Sequence, residues 1–295
     1  MNIIKYKLVW LWISVFMVVA GLAIIIILKP TFGIDFTGGT LVELRNSQDI
    51  KIDEVREKIS NAYPGRELLI QEAGANQFVV RAKIQSENDY KDFEGKLKNA
   101  LPDSDILRHE SIGASVGQSL TRKAIIGIIV ASLLIIGYLA YAFRSVPRSV
   151  SSWSFGTIAV LALIHDLIFS FGIFTLVGKY AGYEIEGMIV VAALTILGFS
   201  VHDTIVVFDR VRENLIKHPN LSITENANTS VNQTIARSMN TSLTVILVLI
   251  AMFLLGGGTI KPFVLMMIIG IGIGTYSSIF VASPVLAWWY EKKRG

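Results

Sequence analysis

The chain has 295 residues and no cysteine; 52% of it is hydrophobic and only 17% charged. A soluble domain carries about 25% charged residues, so an ordinary soluble enzyme is excluded, and without cysteine so are a disulfide scaffold and a thiolate metal site. The net charge of +4 is unevenly spread: residues 30–121 hold 15 acidic and 11 basic groups, and the remainder holds 8 and 16. The basic excess flanks long apolar runs and no polar face, which points to anionic membrane lipid and not to nucleic acid.

A helix crossing about 30 Å of hydrocarbon needs roughly 20 mostly apolar residues. Runs of that kind occupy 8–28, 124–143, 153–177, 187–208, 238–260 and 262–290. The first is too long for the apolar stretch of a signal peptide and is followed by Lys29-Pro30, so a retained anchor is expected. Ten Lys and Arg residues lie on one side of the spans (Lys5, Lys7, Arg144, Arg148, Arg210, Arg212, Lys217, Lys292, Lys293, Arg294), and the short loops on the other side hold two, Lys179 and Lys261. The positive-inside bias predicts both termini in the cytoplasm and residues 30–121 outside. The first segment, 1–29, is then a short tail and an anchor. Segment 122–295 carries the other five spans, with a cytoplasmic connection at 209–237 read as a plain loop.

The external window alternates like a small α+β unit. Strands are expected around 40–45, 67–73, 78–84 and 105–112, the last with poor alternation. Ile52, Val55, Ile59 and Ala62 repeat at helical spacing, as do Tyr90, Phe93, Leu97 and Leu101, with a capping box expected at Ser86 and Asp89. The order β-α-β-β-α-β predicts a ferredoxin-like fold. With one histidine, His109, the window is not expected to do metal or nucleophilic chemistry, and its charges read as solvated faces. Ahead of it, Gly33-Ile34-Asp35-Phe36-Thr37-Gly38-Gly39 combines a membrane exit with paired glycines, read as a tight turn and hinge.

Ionisable residues at membrane depth are expensive and functional by default. His165-Asp166 lies in the third span, His202-Asp203-Thr204 in the fourth, and Arg237 at the entry to the fifth. Asp203 is read as a carboxylate that binds and releases a proton or another cation, against the alternative of a structural pair with Arg237. Asp166 serves equally as a packing group or an ion ligand. Neighbouring helix residues point about 100° apart, so neither His165 nor His202 is expected to form a dyad with its Asp. Gly270, Gly274 and Ser278 make a small-residue ladder that favours close helix packing and is expected to offer that face to a partner subunit, and Gly256-Gly257-Gly258 a turn.

These residues also carry a resemblance. The segment 33–39 resembles the signature after the first span in the SecD/SecF family of bacterial protein-export membrane proteins. The run 203–214 (Asp203 to Asn214) is similar to the fourth-span motif of the SecF branch, 233–242 to its fifth-span entry and 274–279 to its sixth. The family often has Asn where this chain has His202. The resemblance implies one six-helix half of an RND-type transporter, separate from SecD and paired with it. It implies a non-enzymatic subunit without cofactor that uses H⁺ or Na⁺ flow to assist polypeptide export through SecYEG in the bacterial inner membrane, with YajC and YidC as further partners. It also implies Asp203 as the ion-path carboxylate, Arg237 as its basic counterpart, and Thr204, Asp166 and His202 as their surroundings. A self-contained small-molecule transporter would need an internal repeat, and none is visible. A receptor or assembly factor would need neither Asp203 nor Arg237.

Overall fold

The structure is a computed structural model that describes residues 2–64, 68–74, 76–84, 87–144, 151–218 and 220–294. Two compact units emerge: a helical unit of Met1–Lys29, Ile126–Gly178 and Ile189–Gly295, and a sheet unit of Pro30–Ile125 with Lys179–Met188. In chain order, helix α1 is Lys7–Leu28, the short α2 Ile34–Thr37, strand β1 Gly39–Asn46, α3 Ile52–Ala62, β2 Leu68–Gly74, β3 Gln77–Ala82, α4 Glu87–Ala100 and β4 Ser104–Ile112. The long helices follow: α5 Ala114–Ala142, α6 Ser152–Ala181, α7 Gly187–Lys217 and α8 Ile223–Leu255. The last stretch is α9 Lys261–Ser277, a π-helical turn at Ser278–Ala282, and α10 Ser283–Arg294.

Among the described residues six helical stretches are long and apolar enough to cross a membrane, in the six places expected from the sequence. The sixth departs from α-helical winding just ahead of Pro284, whose ring clashes with the carbonyl four residues back and offers it no N–H.

The sheet is antiparallel in the order β2-β3-β1-β4, the ferredoxin-like arrangement. Val42 and Leu44 of β1 and Phe78, Val80 and Ala82 of β3 alternate onto one face. There they pack with Val55 and Ile59 of α3 and Phe93 and Leu97 of α4. The poor alternation of β4 has a cause: opposite Glu43 and Leu44 lie Arg108 and Ile106, so Leu107 is an inserted bulge residue that shifts the pleat. The capping box expected at Ser86 lies outside the described residues.

Three sequence expectations change. The sheet unit does not end at 121: the first turns of α5 belong to it, and so does the 179–188 segment, which sequence reasoning had treated as a bare connection. The stretch 209–237 is not a loop. α7 runs on to Lys217 and α8 starts at Ile223 behind a Ser222–Glu225 capping box. Its polar residues point inward and join the helices, with Asn214 donating to Ser230 Oγ at 2.8 Å and Gln233 Oε1 at 3.0 Å. Polarity there marks a hydrogen-bonded seam, which a hydropathy count cannot tell from a solvated loop.

The third change concerns the small-residue ladder. A Cβ on Gly270 would stand 2.2 Å from Ile196 Cδ1, and one on Gly274 2.9 Å from Ser200 Cβ. The ladder is therefore used inside the chain, against α7, and is not a free face for another subunit. α1 crosses α6 just as closely, since a Cβ on Gly172 would lie 2.6 Å from the Cα of Gly21. Gly172→Ala is expected to destabilise the helical unit by about 1–3 kcal/mol. Gly272→Ala, where nothing lies within 4 Å, should be neutral or slightly stabilising. Thermal unfolding midpoints in detergent check the pair.

Candidate functional site: buried carboxylates between the helices

α7 runs through the middle of the helical unit, burying Ile189, Ala192, Ala193, Ile196, Leu197, Ser200, Asp203, Thr204 and Val207 along its length. Apolar residues cover most of that surface, so the polar groups on it stand out. They gather around two carboxylates.

Asp166, on α6, is fully buried. Its Oδ2 accepts from Ser200 Oγ of α7 at 2.6 Å and from Ser277 Oγ of α9 at 2.7 Å, and its Oδ1 lies 2.9 Å from His165 Nδ1. The tautomer with its proton on Nδ1 donates to Oδ1. The neighbouring His and Asp therefore do meet, contrary to the helical-wheel expectation, because both side chains bend into the same gap. Both Asp166 oxygens are satisfied, and they tie three helices together. His165 Nε2 is buried and has no hydrogen-bond partner among the described residues, and its ring stacks near Tyr276, centroids 6.4 Å apart.

Asp203 is equally hidden, 2% exposed, and held far more loosely. Ser242 Oγ of α8 is 3.4 Å from Oδ2, and Thr275 Oγ1 of α9 donates to Ser242. Ser238 lies beside the same carboxylate, its hydroxyl buried and outside hydrogen-bond geometry. Three hydroxyls from two helices thus surround an acid that none grips at short range, an arrangement that can exchange a proton or a small cation without breaking strong bonds.

The other sequence candidates divide. Thr204 is buried, but its hydroxyl donates to the Ser200 carbonyl of its own helix at 3.1 Å. His202 and Arg237 lie on exposed surfaces of α7 and α8. The direct Asp203–Arg237 pair considered from the sequence is not formed: among the described residues Arg237 has no ion pair. Ser238, the next residue, takes the inward position.

In the sheet unit, Gly38 (φ 70°) and Gly39 (φ 129°) adopt angles that favour glycine. A Cβ on Gly38 would meet Ala114 Cα at 2.9 Å, and one on Gly39 the Ala82 carbonyl at 2.8 Å. The pair is a packed joint, not the free hinge expected from the sequence. Asp35 accepts from the Gly187 N–H, the first residue of α7, at 2.6 Å.

Sequence reasoning missed Glu184 and the role of Arg81. Arg81 Nε lies 3.0 Å from Glu184 Oε2, and Arg81 Nη2 3.1 Å from Glu186 Oε1. The side chains of Arg81 and Glu184 are 13% and 1% exposed, so these charges are not the solvated faces expected of the window. The one available signal was a pair of acids, Glu184 and Glu186, in a very short connection between two apolar runs.

Comparison with known proteins places these features in a family. Residues 92–292 match the family described as "Protein export membrane protein SecD/SecF, C-terminal", and residues 23–49 match the SecD/SecF GG motif. A protein translocase subunit SecF from Thermobaculum terrenum is 36% identical over 99% of this chain and 94% of its own length. The protein translocase subunit SecDF of Thermus thermophilus is 34% identical over 89% of this chain, which spans 35% of it. The crystal structure of SecDF, a translocon-associated membrane protein from that organism, superposes with a TM-score of 0.85 at 31% identity, over 98% of this chain and 38% of that one.

The unequal grip on the two acids predicts unequal costs. Asp166→Asn is expected to cost at least ~2 kcal/mol, because an amide N–H₂ replaces an oxygen that accepts buried donors. Asp203→Asn should cost under ~1 kcal/mol. Denaturation of the purified protein in detergent would show the order, and the reverse order would refute this assignment.

Proposed function

Because the chain belongs to the SecD/SecF family of protein-export membrane proteins, we propose that it acts as the SecF-type half of a translocase auxiliary pair. With SecD it uses ion flow to help draw exported polypeptides out of the SecYEG channel. The observation that carries this is Asp203: a carboxylate enclosed by helices, bordered by Ser238, Ser242 and Thr275, and bound tightly by none of them. A receptor or assembly factor has no use for such a group, whose burial costs at least ~2.5 kcal/mol on insertion scales.

Arg237 supports a partner subunit. It lies exposed on α8, ahead of the stretch in which Leu243, Leu247 and Val248 are each more than half exposed. An exposed cation at the entry to an apolar span calls for a counter-charge, and SecD is the subunit that would cover it. The same argument disfavours a self-contained small-molecule transporter. Each ion moved down 100 mV supplies about 2.3 kcal/mol, enough to shift a two-state element by some tens-fold. Loading and release of Asp203 repack α7, α8 and α9, and the sheet unit alternates between holding and releasing the emerging chain. H⁺ and Na⁺ both suit a carboxylate ringed by hydroxyls, and the pair works as a coupler without catalysis of its own.

In this reading both termini are cytoplasmic and the sheet unit is external. The cysteine-free chain makes this easy to check: a single cysteine at Asp49 should react with an impermeant reagent from outside intact cells, and labelling only after lysis would overturn it. For the mechanism, Asp203→Asn should assemble with SecD normally yet lose gradient-driven completion of export in vesicles. Wild-type export by that variant would leave Asp203 no coupling role.

A further inference from the structure

The sheet unit contains a buried acid that the proposed ion path does not use. Residues 31–33 leaving α1 run parallel to 183–187, with Gly33 N–H donating to the Ile185 carbonyl at 2.9 Å and Ile185 N–H to the Thr31 carbonyl at 2.8 Å. A Cβ on Gly33 would sit 2.8 Å from Glu186 Cγ, so any larger residue there would have to displace the Glu186 side chain. On this side of the sheet, opposite the face covered by α3 and α4, Arg81 projects from β3. Its guanidinium reaches Glu184, Glu186 and Gln71 Oε1, the last at 2.6 Å. The Asp35 carboxylate meanwhile caps the N-terminus of α7 through Gly187, where the helix dipole favours an anion. A Cβ on Gly187 would press against that carboxylate at 3.0 Å.

We propose that Asp35, Arg81, Glu184 and Glu186 form a latch that ties the membrane exit of α1, strand β3 and the first turn of α7 together, with Glu184 as its switching group. The role rests on and deepens the one proposed above, since the segment 183–187 leads directly into α7, the helix that carries Asp203. Asp35 and Arg81 act as positioning residues.

The chemistry of Glu184 sets the direction of the switch. Its carboxylate is buried, and burial raises its pKa from 4.5 to about 7, partly opposed by the Arg81 charge and reinforced by Glu186. Arg81 does not dominate because it approaches off-axis: neither Glu184 oxygen nor Arg81 Nε makes a hydrogen bond of good geometry. Arg81 from β3 and Glu186 from its own segment act on Glu184; Tyr183 adjoins it in sequence, and Asp35 of α2 holds Gly187 three residues on. Beyond Glu186 stand Arg108, Glu110 and Glu43. A carboxyl group with a raised pKa binds its proton more tightly in the closed form. Closure is thus fully favoured below pH 4.5 and loses that support as pH rises through about 7. Acid on this face closes the latch, and neutral to alkaline conditions release it.

Hydrogen–deuterium exchange on the full chain with its partner, over the peptides covering 31–37 and 183–188, tests this directly. After correction for intrinsic exchange, protection should fall by about 30-fold between pH 5.5 and 8.5, the change set by pKa values of 4.5 and about 7. Glu184→Gln should stay protected throughout, and Arg81→Gln should move the midpoint upward in pH. Protection independent of pH in the wild type, or the same slope in Glu184→Gln, would overturn the latch. Asp203→Asn separates the two proposals. It should keep the wild-type exchange profile, so failure of its export phenotype bears on the ion path alone and failure of the pH profile on the latch alone.

Discussion

Burying a carboxylate among apolar helices is the constraint around which the helical unit is arranged. An acid removed from water must find donors, and within a bundle these come from helices that approach closely. Gly270 and Gly274 bring α9 against α7, and that approach carries Ser277 to Asp166 and Thr275 to Ser242. The small residues and the polar residues of the sixth span are thus one device. Without the glycines the serines could not reach, and without the serines a buried acid would be untenable.

The same requirement is met to different degrees at the two acids. Asp166 accepts from two serines at under 3 Å and faces His165, which makes it a knot between α6, α7 and α9. Asp203 is only loosely bound. A strongly hydrogen-bonded group resists a change in its charge state, whereas a change at a loosely held one breaks no strong bonds. One acid, on α6, is thus a tie between helices, and the other, on α7, is left without strong bonds.

In the sheet unit the limiting interaction is steric. Gly33, Gly38, Gly39, Gly117 and Gly187 stand where a Cβ would run into backbone or a carboxylate. Together they let the exit of α1, the end of β3 and the beginnings of α5 and α7 converge in one small volume. The signature segment 33–39 is a site of convergence, and its Asp35 serves the far end of the chain at Gly187.

Periodicity and hydropathy alone determined the six spans, the β-α-β-β-α-β order and the candidates Asp166, Asp203 and Arg237, because apolar period and the cost of intramembrane charge are local properties of a sequence. The motifs at 33–39 and 203–214 determined the family. Four things were decided only by tertiary structure. Asp203 turns to hydroxyls while Arg237 turns outward, since a helical position does not say which neighbour covers it. His165 bends to Asp166, because rotamers are chosen by the space left between helices. Polar 209–217 and 223–237 are helical, because side chains such as Asn214 find partners on the adjoining helix. Glu184 is buried by a strand about a hundred residues away (β3), and no window along the chain can register that contact, since burial depends on which distant segments the fold brings together.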